Sequence, residues 1–183
     1  MNLERVRSHP ARYLIPWGMT IARPILGWKA MKSAQSGNWA QVQKHIVPAL
    51  ASDLEGNPAR FLRAVSVAGA VADPVADAML RAESVVAFAP HMSKIATVSV
   101  VAGEFINFGI NAKIQKALEK PRIPKGAKIG AVVQAVGAGL FTEGMKQSNE
   151  KKKKSGESII VAGTLLRVSS YVNLYRRTRK ETS

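Results

Sequence analysis

Apolar segments of helical length recur six times along this chain, at about residues 12–31, 39–62, 67–89, 92–118, 127–146 and 156–176. Turn-forming clusters separate them: Gln35–Asn38 (QSGN), Ala89–His91 (APH), 121–126 (PRIPKG) and Ser148 to Gly156. Apolar and polar residues almost never alternate for long enough to suggest a strand. The pattern predicts an all-α fold in which six helices form one bundle. The 183 residues suit a single domain over 1–183, with no internal repeat and no long linker.

Whether that bundle sits in a membrane is where the residues argue against one another. A spanning helix needs about 20 mostly apolar residues, yet the longest uncharged run is Ile129 to Thr142, and the mean hydropathy is −0.02. Hydropathy alone reads as a soluble helical protein. The recurrence of six segments reads the other way. So does their richness in glycine and alanine, as in Ala131 to Gly139 (AVVQAVGAG), which permits close helix approach. Charges inside such segments would face a polar interior rather than lipid.

The net charge is +15, from 27 Lys and Arg against 12 Asp and Glu. A chain this basic meets nucleic acid, an anionic lipid surface or phosphate-rich substrates. The cations are spread along the chain, and three Trp, three Tyr and five Phe offer no evident stacking platform. A basic soluble nucleic-acid-binding protein is therefore a secondary alternative. The absence of cysteine excludes disulfides and thiolate metal sites. His9, His45 and His91 are scattered without zinc-like spacing. The opening MNLERVRSHPARY has no apolar core ahead of a cleavage site, so a cleaved secretory signal is not expected.

The chemistry concentrates in Ser52 to Asp77, SDLEGNPARFLRAVSVAGAVADPVAD. Gly69, Asp73 and Asp77 are spaced i, i+4, i+8, which puts two carboxylates one turn apart on one helix face. Two acids on one stripe repel unless a cation sits between them. Oxygen ligands of this kind suit magnesium, manganese or calcium. The bland alternative is a pair of solvent-facing acids, or neutralisation of Asp77 by Arg81 one turn later. Pro58 and Pro74 each remove a backbone donor and favour kinks at this stretch.

This stretch resembles the signature of the CDP-alcohol phosphatidyltransferases, D-x2-D-G-x2-A-R-x8-G-x3-D-x3-D. Gly56, Ala59, Arg60, Gly69, Asp73 and Asp77 match in register over 22 residues. The phrase ADPVAD (Ala72 to Asp77) is similar to one found in the phosphatidylglycerol phosphate synthase branch. The front differs: Ser52 and Glu55 stand where the pattern has aspartates, and Asp53 lies one residue late, about 100° around a helix from Ser52. Weaker similarities are Thr20 to Leu26 (TIARPIL), Glu104 to Gly109 (EFINFG, with Gly103 in place of an arginine) and Ala127 to Gln134, which keeps Lys128 and Gln134.

The resemblance implies an integral membrane enzyme with six transmembrane helices and a short N-terminal juxtamembrane segment. It would move a phosphatidyl group from a CDP-diacylglycerol-type lipid to a small alcohol, releasing CMP. Glycerol 3-phosphate is the favoured acceptor from the ADPVAD phrase. Asp77 would be the general base, and Asp53, Glu55, Asp73 and Asp77 would ligate Mg2+ or Mn2+. Gly56, Ala59, Arg60 and Gly69 would bind the nucleotide, with Arg23 and Lys128 as candidate ligands of an acceptor phosphate. A homodimer in the cytoplasmic membrane of a prokaryote, its active site facing the cytoplasm, completes the expectation. The altered front also leaves open a catalytically impaired relative that binds CDP-lipid or anionic lipid.

With both termini in the cytoplasm, most basic residues fall on that side, among them Arg5, Arg7, Arg12, Arg60, Arg63, Lys113, Lys116 and Arg176. Lys151 to Lys154 fall on the other side, where they read as a solvated loop or as a contact for anionic head groups.

Overall fold

The computed structural model describes residues 11–51, 67–117 and 123–181. Six α-helices and no strand occur among them. They are α1 (Ala11–Gln35), α2 (Trp39–Ala51), α3 (Val67–Phe88), α4 (Lys94–Ala117), α5 (Lys125–Lys146) and α6 (Glu150–Glu181), with a 3-10 turn at Ala89–His91 after α3. The all-helical expectation holds, and the segment boundaries shift by a few residues at most ends.

Two of the connections are built the same way. After α1, Gly37 takes φ 72°; its N–H donates to the Ala34 carbonyl, and the Asn38 N–H donates to Ser33. This pair of bonds is the left-handed helix stop that glycine favours. Asn38 then caps α2 by accepting from the Gln41 N–H. After α5, Ser148 takes φ 52°, its N–H donates to Met145, the Asn149 N–H donates to Gly144, and Asn149 accepts from the Lys152 N–H. The loop expected over Ser148 to Gly156 is therefore a three-residue turn. Lys151 to Lys154 form the first turns of α6, because Asn149 caps the helix and Gly144 packs directly on Lys152 and Lys153.

The turns at 36–38, 89–93 and 147–149 gather at one end of the bundle. Trp39, at the start of α2, packs its ring edge-on against His91, with centroids 4.8 Å apart, and reaches Phe141 of α5. Phe88 of α3 meets the same Phe141. Ser93 caps α4, and its N–H and hydroxyl both donate to Glu157 of α6. The main core runs inward from this end through Ala30, Val42, Ile46, Leu80, Ala138 and Ile160. A smaller cluster of Ile114, Ala127 and Tyr171 fills the opposite end.

Antiparallel α5 and α6 are the most intimately packed pair, and glycine makes this possible. Gly130, Gly137 and Gly144 recur every seven residues on α5, opposite Gly156 and Gly163 on α6. A Cβ on Gly156 would lie 2.3 Å from the Phe141 nitrogen, and one on Gly163 2.7 Å from the Gly130 carbonyl. Backbone touches backbone along this seam, as small-residue interfaces allow.

Much of the outer surface is apolar. Ile21, Ile25 and Trp28 on α1, Val75, Met79 and Val86 on α3, Ile129, Val132 and Val136 on α5, and Leu165 on α6 are all exposed. On α4, Ile95, Val98, Phe105 and Phe108 are at least 65% exposed. Among the described residues one segment, Lys94–Ile114 of α4, is long and apolar enough by itself to cross a bilayer.

Candidate active site

Asp77 sits midway along the 22-residue α3. Parallel α1 brings Arg23 beside it, and Arg23 Nη1 donates to Asp77 Oδ1 at 2.7 Å. The two side chains are 13% and 31% exposed, so the pair is partly desolvated yet reachable. Gly27, one turn after Arg23, keeps α1 and α3 close, since a Cβ there would run into Glu83 and Leu80. Asp73 and Gly69 lie one and two turns before Asp77 on the same face of α3. The α3 helix runs through Pro74.

Two sequence-predicted site residues, Arg23 and Asp77, are thus brought together. Lys128 lies exposed on α5, and no ion pair among the described residues joins it to them. Asp53, Glu55, Gly56, Ala59 and Arg60 lie outside the described residues.

A second, half-buried polar cluster lies one turn further along α3. Arg81 of α3 donates to Glu104 Oε2 of α4 at 3.3 Å. Glu104 Oε1 accepts from Arg167 of α6 at 2.7 Å and from Gln134 of α5 at 3.0 Å. Gln134 closes the network, donating to Thr164 Oγ1 and accepting from Arg167. Arg167 is only 4% exposed and Thr164 fully buried. Gly103 admits Thr164, whose methyl stands where a Cβ would be. Four helices are tied by one carboxylate, and three charges, two positive and one negative, lie together in the interior. Such groups persist there only when hydrogen-bonded and paired.

Arg81 was a candidate partner of Asp77, and it donates to Glu104. Arg167 and Thr164 were missed. The available signal was an arginine in the middle of the apolar segment at 156–176, since a charge at such a place implies a partner in the interior. Glu104 and Gln134 stood out only as points of family similarity.

The CDP-alcohol phosphatidyltransferase family model matches residues 13–168, which contain Arg23, the whole Ser52–Asp77 stretch, Glu104, Gln134 and Arg167. This chain belongs to the CDP-alcohol phosphatidyltransferase family. The family is a transferase class that moves a phosphatidyl group from a CDP-linked alcohol, is generally dependent on a divalent metal and is typically integral to membranes. No curated relative and no solved structure gives a match.

Among the described residues no three potential metal ligands converge. The donor chemistry nevertheless fits. Asp73 and Asp77 stand one turn apart in the sequence of α3, and magnesium and manganese favour oxygen ligands such as carboxylates.

Proposed function

We propose that this phosphatidyltransferase family member is an active integral membrane enzyme. In this reading it uses a CDP-diacylglycerol-type lipid as donor and glycerol 3-phosphate as the favoured acceptor, with Mg2+ or Mn2+ held by Asp73, Asp77, Asp53 and Glu55. The single observation that carries the reading is the Arg23–Asp77 pair, which fixes the orientation of the last motif acid within a family-matched chain. When bound, the metal would neutralise the donor pyrophosphate and polarise its phosphorus.

The residues of the chain supply the rest. Asp77 accepts the proton of the acceptor hydroxyl as that oxygen bonds to phosphorus, and the bond to CMP breaks. Arg23 orients Asp77 through its 2.7 Å bond. A guanidinium has five N–H donors, so an acceptor phosphate can share Arg23 with Asp77 and be held beside the base. Arg60 and the small residues Gly56, Ala59 and Gly69 would admit and clamp the nucleotide, with Arg60 on a phosphate.

Membrane insertion rests on the exposed apolar residues around α1, α3, α4, α5 and α6. Low hydropathy then has a physical source. Arg23, Asp77, Arg81, Glu104 and Arg167 lower the hydropathy of four helices, yet they pair with one another in the interior. The motif end would face the cytoplasm, with Lys113, Lys125, Lys128 and Arg176 around it. Protein reconstituted with CDP-diacylglycerol, glycerol 3-phosphate and manganese should release CMP, and a chelator should stop it. No release with glycerol 3-phosphate, inositol phosphate or serine would contradict the reading.

A further inference from the structure

The bundle gives one half-buried amide partners on both its atoms and leaves a buried one with none. Gln134 uses its oxygen and nitrogen in three hydrogen bonds, to Arg167, Glu104 and Thr164. Asn107 of α4 is more enclosed than Gln134, at 4% exposure, yet neither Oδ1 nor Nδ2 has a hydrogen-bond partner. Burying an amide without partners forfeits its hydration, and a leucine of similar size would forfeit none. Orphaned buried polar groups are rare in native proteins and each calls for a reason.

Its position supplies one. Arg81 of α3 pairs with Glu104 of α4, and the two helices run antiparallel through the turn at 89–93. One turn back along α3 from Arg81 is Asp77, and one turn forward along α4 from Glu104 is Asn107 to Phe108. Asn107 therefore lies at the depth of Asp77 in the bundle, next to the layer of paired charges.

The chemistry of the orphan narrows what it would meet. An amide offers two donors and one acceptor oxygen. A phosphate only accepts and would leave Oδ1 bare, whereas a hydroxyl both gives and takes. The attacking hydroxyl surrenders its proton to Asp77, so it cannot also donate to Asn107. We propose that Asn107 is a specificity-determining residue that hydrogen-bonds a second, non-attacking hydroxyl of the acceptor alcohol, so that the acceptor is a polyol. The inference rests on the phosphatidyltransferase reading and adds to it the residue that would recognise the acceptor's second hydroxyl.

The test is Asn107→Leu in the full-length protein, read in two ways. In the substrate-free state, the variant should melt at or above the wild-type temperature, because an unpaired amide has been replaced by a hydrocarbon. In turnover, glycerol 3-phosphate and inositol phosphate are compared with analogues lacking one non-attacking hydroxyl, such as 3-hydroxypropyl phosphate. KM for the favoured polyol phosphate should rise about ten- to a hundredfold, KM for CDP-diacylglycerol should stay unchanged, and the preference over the deoxy analogue should vanish. A lowered melting temperature would overturn the proposal by showing that the amide has a structural partner. So would an unchanged acceptor KM, a raised KM for the CDP-lipid instead, or a wild type that uses serine alone. A wild type that releases no CMP with any acceptor overturns the phosphatidyltransferase reading itself, and this inference falls with it.

Discussion

Arg23 of α1 donates to Asp77 of α3 across 2.7 Å, joining residues 54 positions apart at the exposed edge of the bundle interior. The pair links the first helix, which carries none of the motif, to the last acid of the motif. Arg23→Gln removes the charge and the 2.7 Å bond that Asp77 accepts from it. CMP release should fall at least tenfold, with KM for the acceptor phosphate rising, because charge-assisted bonds of this kind are worth about 1.5–3 kcal/mol. Arg23→Lys should recover only part, since an ammonium lacks the planar fork that serves a carboxylate and a phosphate together. Steady-state kinetics with varied acceptor checks both variants.

Glu104 pairs with both Arg81 and Arg167. Glu104→Ala should cost about 3–5 kcal/mol, the usual consequence of stranding a buried charge. The double variant Glu104→Ala/Arg167→Met should be more stable than the single one, because it removes the most deeply buried of the stranded cations. Thermal unfolding in detergent distinguishes this order from simple additivity.

The glycine seam between α5 and α6 predicts opposite outcomes at two glycines. Gly156→Ala would drive a methyl to within 2.3 Å of the Phe141 nitrogen, which only a shift of backbone relieves. It should destabilise by about 1–3 kcal/mol or more. Gly109 is exposed on α4 with no atom within 4 Å of an added Cβ. Gly109→Ala should be neutral or stabilising by up to about 1 kcal/mol, the helix propensity gained. Melting temperatures of the two variants, measured side by side, check the contrast.

His91, in the turn after α3, packs on Trp39; burial, and then the charge of Lys153, push its pKa below the usual 6.5. The folded protein thus prefers neutral His91, while the unfolded chain takes up its proton near 6.5. Between those two values the unfolded state binds more protons, so stability rises with pH. The contribution is intact above about pH 6.5 and is lost as pH falls toward the lower folded value. The wild type should melt lower at pH 5.5 than at pH 7.5, and His91→Phe should show a smaller drop.

How much of this was legible beforehand follows from the kind of signal involved. Period and punctuation locate helices, because apolar faces and turn chemistry act locally; Gly37–Asn38 and Ala89–His91 ended helices where expected. Lys151 to Lys154 misled, because four like charges suggest a loop while the Asn149 cap and the Gly144 contact hold them in a helix. The helix that carries both Asp73 and Asp77 was legible from the sequence. The Arg23–Asp77 contact and the Glu104 network were not, because pairings 54 and 63 residues apart depend on how helices cross. Hydropathy averages count Arg167 and Glu104 as solvent-seeking, although each satisfies the other inside the bundle.

The most direct test of the central claim is the rate of CMP release from CDP-diacylglycerol by reconstituted protein, wild type against Asp77→Asn, with manganese and glycerol 3-phosphate present. The account predicts release by the wild type and a loss of at least a hundredfold in the variant, at the lower end of what general-base removal costs, roughly 10²–10⁴-fold, with the variant still folded. Equal rates in the two proteins would contradict it.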